Sequence, residues 1–62
     1  MRITEARMIV DTYRNIQILQ TEARRLSDSE NYELYSQWLR RSERLYSKAV
    51  VCIIRYNRRR RK

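Results

Sequence analysis

Apolar residues recur along this chain at three- and four-residue intervals, in two long blocks separated by one polar cluster, which is helical rather than strand periodicity. With Ile9 placed at heptad position a, the first block has Ile9, Ile16 and Ala23 at a, Thr12, Leu19 and Leu26 at d, and Ala6, Tyr13 and Gln20 at e. Seven of these nine positions are apolar. The second block has Tyr32, Leu39, Tyr46 and Ile53 at a, Tyr35, Ser42, Ala49 and Tyr56 at d, and Trp38, Leu45 and Cys52 at g. Ten of those eleven are apolar, Ser42 being the exception. The β-branched run Ala49 to Ile54 has strand-like composition, but no second segment resembles a strand that would pair with it, so it reads as the end of the second helix.

The polar cluster Ser27-Asp28-Ser29-Glu30-Asn31 marks the only turn in a chain with neither Gly nor Pro. Ser27 and Glu30 have the spacing of a capping box, with Ser29 as the alternative cap. Asp28, Glu30 and Glu33 place negative charge at the positive end of the second helix dipole. Thr4 and Glu5 give a weaker start signal for the first helix. The predicted organisation is a hairpin with helix 1 over about 4–26, a turn at about 27–30, helix 2 over about 30–57, and a basic tail over 58–62.

A two-position seam suffices for a pair of helices, whereas a three-position face suits a helix that touches two neighbours. One hairpin leaves half of each stripe wet, and two hairpins closing on each other cover it. The expected fold is therefore all-α, a two-helix antiparallel hairpin dimerising into a four-helix bundle. Its core and dimer interface are expected to use Ile9, Tyr13, Ile16, Leu19 and Leu26 of the first helix with Tyr35, Trp38, Leu39, Leu45, Tyr46, Ala49 and Ile53 of the second. The small residues Ala6, Ala23, Ser42 and Ala49 allow close approach, and the large Tyr13, Tyr35, Tyr46 and Trp38 suit layer edges with their polar tips near water. A chain of 62 residues makes a marginal core alone, which also favours self-association. Thr4-Glu5-Ala6-Arg7 is echoed by Thr21-Glu22-Ala23-Arg24, a coincidence expected in helix-favouring composition.

Charge changes this picture at one end. The chain carries 15 basic and 7 acidic residues, a net charge of +8, and residues 55–62 hold six basic groups and no acid. Arg55, Arg58, Arg59, Arg60, Arg61 and Lys62 surround Tyr56 and Asn57. Thirteen of the fifteen cations are Arg, whose planar fork favours bidentate contact with phosphate or carboxylate. This segment, with Tyr56 available to stack on a base, is the candidate contact for DNA, RNA or an acidic partner. The competing reading is a solubilising tail that complements the helix dipole. Membrane attachment ranks lower, because only Val50, Val51 and Ile54 are expected to point outward beside the tail. Together with Ile3 and Val10 these groups instead suggest a patch for a protein partner.

Chemistry is hard to build from this composition. No Gly is present to bring a backbone close to phosphate, and one Cys without any His cannot supply a zinc site, so neither cofactor nor metal is expected. The acids fall outside the apolar stripes, where they suit solvated pairs such as Arg7 with Asp11 and Glu22 with Arg25. Cys52 lies on the core-facing stripe with no base to activate it, and reads as an inert buried thiol. An enzyme is rejected. A lone Cys fits a reducing compartment, and neither a signal peptide nor a long apolar span is seen, so a cytoplasmic location is expected.

The length, the turn at Ser27-Asp28-Ser29-Glu30 and the heptads from Ile9 to Leu26 and from Tyr32 to Tyr56 resemble those of short dimeric helical-hairpin proteins of the Rop class, and of similar hairpins encoded by spindle-shaped archaeal viruses. The resemblance covers nearly the whole chain at the level of architecture. The Rop class implies RNA-loop binding through a face of the first helices, whereas the basic surface here is C-terminal. The Arg-, Tyr- and Ile-rich composition without Gly looks like that of a small viral or mobile-element protein, for which the location becomes the host cytoplasm. The expected function is a non-catalytic homodimeric adaptor, with an unidentified protein partner, in a macromolecular assembly. The alternative is a sequence-tolerant nucleic-acid-binding regulator acting through the Arg-rich tail.

Overall fold

The computed structural model describes residues 1–60 and is an all-α hairpin of two helices, α1 (Ile3–Arg25) and α2 (Ser29–Arg60). α1 has 23 residues and α2 has 32, so α2 sets the 48 Å long axis of the molecule. The apolar run Ala49 to Ile54 is helical, as the lack of a strand partner requires. Arg58, Arg59 and Arg60 continue α2 without a break rather than starting a separate tail, while Arg61 and Lys62 lie outside the described residues.

The turn is tighter than its polar cluster suggests, and its chemistry differs from the expected capping box. Leu26 ends α1 and Ser27 follows with φ 56°, in the left-handed region. The Ser27 amide donates to the Arg24 carbonyl at 3.2 Å, and the Asp28 amide to the Ala23 carbonyl at 2.8 Å. This is the Schellman pattern of nested bonds, which satisfies carbonyls that the helix end would otherwise orphan. Glycine normally takes the left-handed position, and serine takes it here. Asp28 then caps α2: its carboxylate accepts from the Asn31 amide at 3.3 Å and from the Asn31 side-chain nitrogen at 2.7 Å. Neither Ser27 nor Ser29 is the cap. Ser27 is committed to the left-handed turn, and Asp28 alone sits at the helix entrance. At the other end of the chain, Arg2 occupies the cap position of α1 with extended backbone and no side-chain cap, and Thr4 is already inside the helix.

The two helices pack along a seam that uses part of each predicted stripe. On α2 it follows the a and d positions: Leu39 and Ala49 are buried, and Tyr32, Tyr35, Ser42, Tyr46, Ile53 and Tyr56 are half-buried. On α1 it follows Ala6, Val10, Tyr13, Gln20 and Ala23, which is the e-position side of the stripe. Ala6 and Ala49 have 0% exposure, and with Val10 they form the buried cluster between the helices. Tyr13 and Tyr46 stack across the middle, ring centroids 4.1 Å apart and planes 15° from parallel. Nearer the turn, the Gln20 side-chain nitrogen donates to the Ser36 hydroxyl at 2.9 Å, which in turn donates to the Tyr32 carbonyl at 2.7 Å. Small residues thus set the close end of the hairpin, and aromatic and hydrogen-bonded polar groups fill the rest.

Val10 and Val50 correct the outward patch expected from the sequence. Val10 is buried and Val50 is half-buried against the same cluster, because Ala6, Val10 and Tyr13 lie one turn apart on the face that α2 covers. Val51 and Ile54 are exposed as expected. Cys52 is half-buried rather than buried, and its thiol donates to the Met1 carbonyl at 3.4 Å. No helix among the described residues is long and apolar enough to cross a membrane.

Candidate functional site

The seam takes up only one flank of each stripe, and the other flank remains open on one side of the hairpin. On α1 this open flank carries Met8, Thr12, Leu19 and Leu26, with Ile9 and Ile16 half-covered at its edge. On α2 it carries the g positions Trp38 and Leu45, with Leu34 on the same side. An apolar groove runs between them, lined by Met8, Ile9, Thr12, Ile16, Trp38 and Leu45 and closed beneath by Tyr13 and Ser42. Trp38 is 60% exposed and Leu26 64%. Ser42, the one polar residue of the α2 stripe, turns its hydroxyl onto the Trp38 carbonyl at 2.7 Å, so the groove wall it forms presents little free polarity.

The reverse side is chemically different. There the depression between the helices is lined by Gln20, Glu33, Ser36, Arg40 and Glu43 around Tyr13, Tyr32 and Leu39. The hairpin is thus amphipathic as a unit, with one dry side and one wet side.

Of the residues expected in the core or the dimer interface, Leu39 and Ala49 are buried in the seam, and Tyr13, Tyr35, Tyr46 and Ile53 are half-buried there. Ile9 and Ile16 stand between the seam and the open side. Leu19, Leu26, Trp38 and Leu45 are exposed. The interface reading missed Met8 and Leu34, whose apolar character in positions flanking the stripe was the available signal. Ile18 is 66% exposed and belongs to neither surface.

The basic residues meet at the open end of the hairpin. Arg7 of α1 and Arg60 of α2 both lie over the Tyr56 ring, at 5.9 Å and 5.8 Å from its centroid. Tyr56 is half-buried as well, so it is held by its own chain instead of standing free to stack on a base. Arg7 therefore does not pair with Asp11. The ion pair among the described residues is the expected one between Glu22 and Arg25, joined also by an Nε bond of 3.3 Å. Arg55, Arg58 and Arg59 are exposed along α2. Among the described residues, 1–16 and 44–60 together carry nine basic and two acidic groups, against four basic and five acidic for residues 17–43 at the turn end. The molecule is strongly polarised along its axis.

The fold and these surfaces define a class, the all-α helical hairpin with one open apolar side and a cationic open end. No protein-family model matches the chain, and no curated protein or solved structure does so either.

Proposed function

We propose that the chain is a homodimeric, non-catalytic adaptor in which two hairpins close through their apolar sides into a four-helix bundle. The observation that carries this reading is the apolar groove of Met8, Ile9, Ile16, Trp38 and Leu45, with Leu19, Leu26 and Leu34 exposed on the same side of the hairpin. A compact monomer of this mass exposes about 4,400 Å² by surface scaling, and the elongated hairpin exposes 5699 Å², so its sides carry more uncovered surface than a globular chain of this size. The second copy is the occupant whose own flank has matching length and chemistry. Architecture of this kind is that of the Rop class.

Charge then selects an orientation. Hairpins packed head to tail set each cationic open end beside the partner's turn end, where Glu22, Asp28, Glu30 and Glu33 lie. Packing them side by side in the same direction would crowd both cationic ends together. Sedimentation equilibrium over about 1 to 100 µM chain tests the dimer by mass action. A dimer that dissociates when Trp38→Asp and Leu45→Glu are introduced supports it, and a monomer throughout overturns it.

A second reading has one observation in its favour, the continuation of α2 as a helix through Arg60. This holds Arg55, Arg58, Arg59 and Arg60 around one rigid helical support, which suits a nucleic-acid-binding regulator. Truncation after Asn57 separates the two readings: a regulator loses nucleic-acid binding, and an adaptor keeps its bundle.

A further inference from the structure

The helical continuation of α2 extends the basic surface in the opposite direction as well, back toward the middle of the molecule. Arg41, Arg44, Lys48, Arg55 and Arg59 follow one another at spacings of three, four, seven and four residues, and all are exposed. At 3.6 residues per turn they fall within about 60° of arc and run about 27 Å along the helix. This face is opposite the seam line of Leu39, Tyr46 and Ile53 and lies roughly a quarter turn from the Trp38 and Leu45 side, so bundle formation leaves it open. α2 has no acid beyond Glu43, and none of the five cations makes an ion pair among the described residues. Toward the turn the same face becomes acidic at Glu30 and Glu33, which sets its limit. Like charges at three- and four-residue spacing oppose one another, and the intramolecular salt bridges that would relieve them are missing among the described residues.

We propose that this outer face of α2 binds duplex nucleic acid through its phosphates. The proposal rests on the nucleic-acid reading above and moves its site from the chain end to the length of the helix. Four of the five cations are Arg, suited to bidentate phosphate contact. A shallow depression lined by Lys48, Val51, Arg55 and Arg59 of α2, with Met1 and Ile3 at its edge, lies along the C-terminal half of the stripe and offers apolar floor between cations. That combination matches the sugar and phosphate of a backbone strand. A straight row of charge on a rigid helix complements the regular backbone of a duplex. Single strands are favoured by free aromatic platforms, and Tyr56 is engaged by Arg7 and Arg60. An anionic bilayer would call for a broad apolar strip within the basic face, where Val51 is the one well-exposed apolar side chain. Nothing on the stripe reads base edges, so binding is tolerant of sequence.

The test uses the full chain and fluorescent duplexes of two unrelated sequences as DNA and as RNA, with a single strand of equal length and phosphatidylserine-containing vesicles alongside, over a salt series. One variant carries Arg41→Gln, Arg44→Gln and Lys48→Gln, and another carries Arg58→Gln, Arg59→Gln and Arg60→Gln. All six sites are exposed, and circular dichroism checks that the helices persist. On DNA the expected result is a log–log salt slope that is shallower in both variants, by about 0.9 for each phosphate no longer neutralised, with equal affinity for the two sequences. A slope changed only by the Arg58–Arg60 variant overturns the stripe and leaves the chain-end reading standing. Absence of nucleic-acid binding overturns both. Tighter binding to single strands, or binding to vesicles alone, overturns the choice of duplex.

Discussion

Ser27 and Asp28 carry the turn between them, and each does so with a residue-specific consequence. A non-glycine residue in the left-handed region costs about 1–2 kcal/mol through the contact of its Cβ with the backbone. Ser27→Gly at φ 56° is therefore expected to stabilise the protein by about 1 kcal/mol, seen as a higher urea midpoint at fixed chain concentration. Asp28 both closes the Schellman pattern with its amide and caps α2 with its carboxylate. Asp28→Ala keeps the amide and removes the cap, so it should cost about 1 kcal/mol in the same measurement. Opposite effects from adjacent residues distinguish this geometry from the Ser27–Glu30 capping box, in which Ser27→Gly would be destabilising.

Each helix divides its apolar stripe between two jobs, and substitutions on the two flanks should behave differently. Ala49 is fully covered against Ala6 and Val10 of α1, and Ala49→Leu is expected to force the helices apart at a cost of about 1–3 kcal/mol. Leu45 stands one turn away on the open side, 45% exposed. Leu45→Ala should leave the helicity of the dilute monomer unchanged and weaken self-association, read by sedimentation against the Ala49 variant. The Tyr13–Tyr46 stack lies within the hairpin rather than between copies, so Tyr46→Ala should lower stability even where no dimer is present.

At the scale of the molecule, shape and charge act together. The radius of gyration is 14.2 Å, against about 10.6 Å for a compact chain of this length. The elongation comes from α2, and it spreads a net charge of +8 unevenly toward the open end. Repulsion among those cations should be relieved as salt rises from about 0.01 M to about 0.1 M, where the screening length falls from about 30 Å to about 10 Å. The thermal midpoint is accordingly expected to rise over that interval, and a flat or falling midpoint would count against unrelieved repulsion. The head-to-tail pairing proposed above adds a second expectation: dimerisation should be weakened by Glu22→Lys, which reverses an acidic charge at the turn end.

Helical periodicity, the absence of Gly and Pro, and the single polar cluster were sufficient to specify two helices and one reversal, because these are local properties that each segment expresses without its neighbours. The width of the stripes was likewise readable, and with it the apolar flank that one hairpin leaves open. How those stripes are divided was not. Which flank of α1 faces α2 depends on the closest approach of the chain, and Ala6 and Ala49 decide it by admitting Val10 to the seam and turning Leu19, Leu26 and Trp38 outward. The cap of α2 was misplaced for a related reason: Ser27, Asp28 and Ser29 are all good caps in isolation, and the left-handed step at Ser27 leaves the role to Asp28. The basic face was read only as a charged end, although the helix predicted over about 30–57 already carries Arg41, Arg44, Lys48 and Arg55 on one side; the continuation of α2 through Arg60 adds Arg59 to that row. Local chemistry determined the elements, and the tertiary contact decided which of their faces are spent on the hairpin and which are left open.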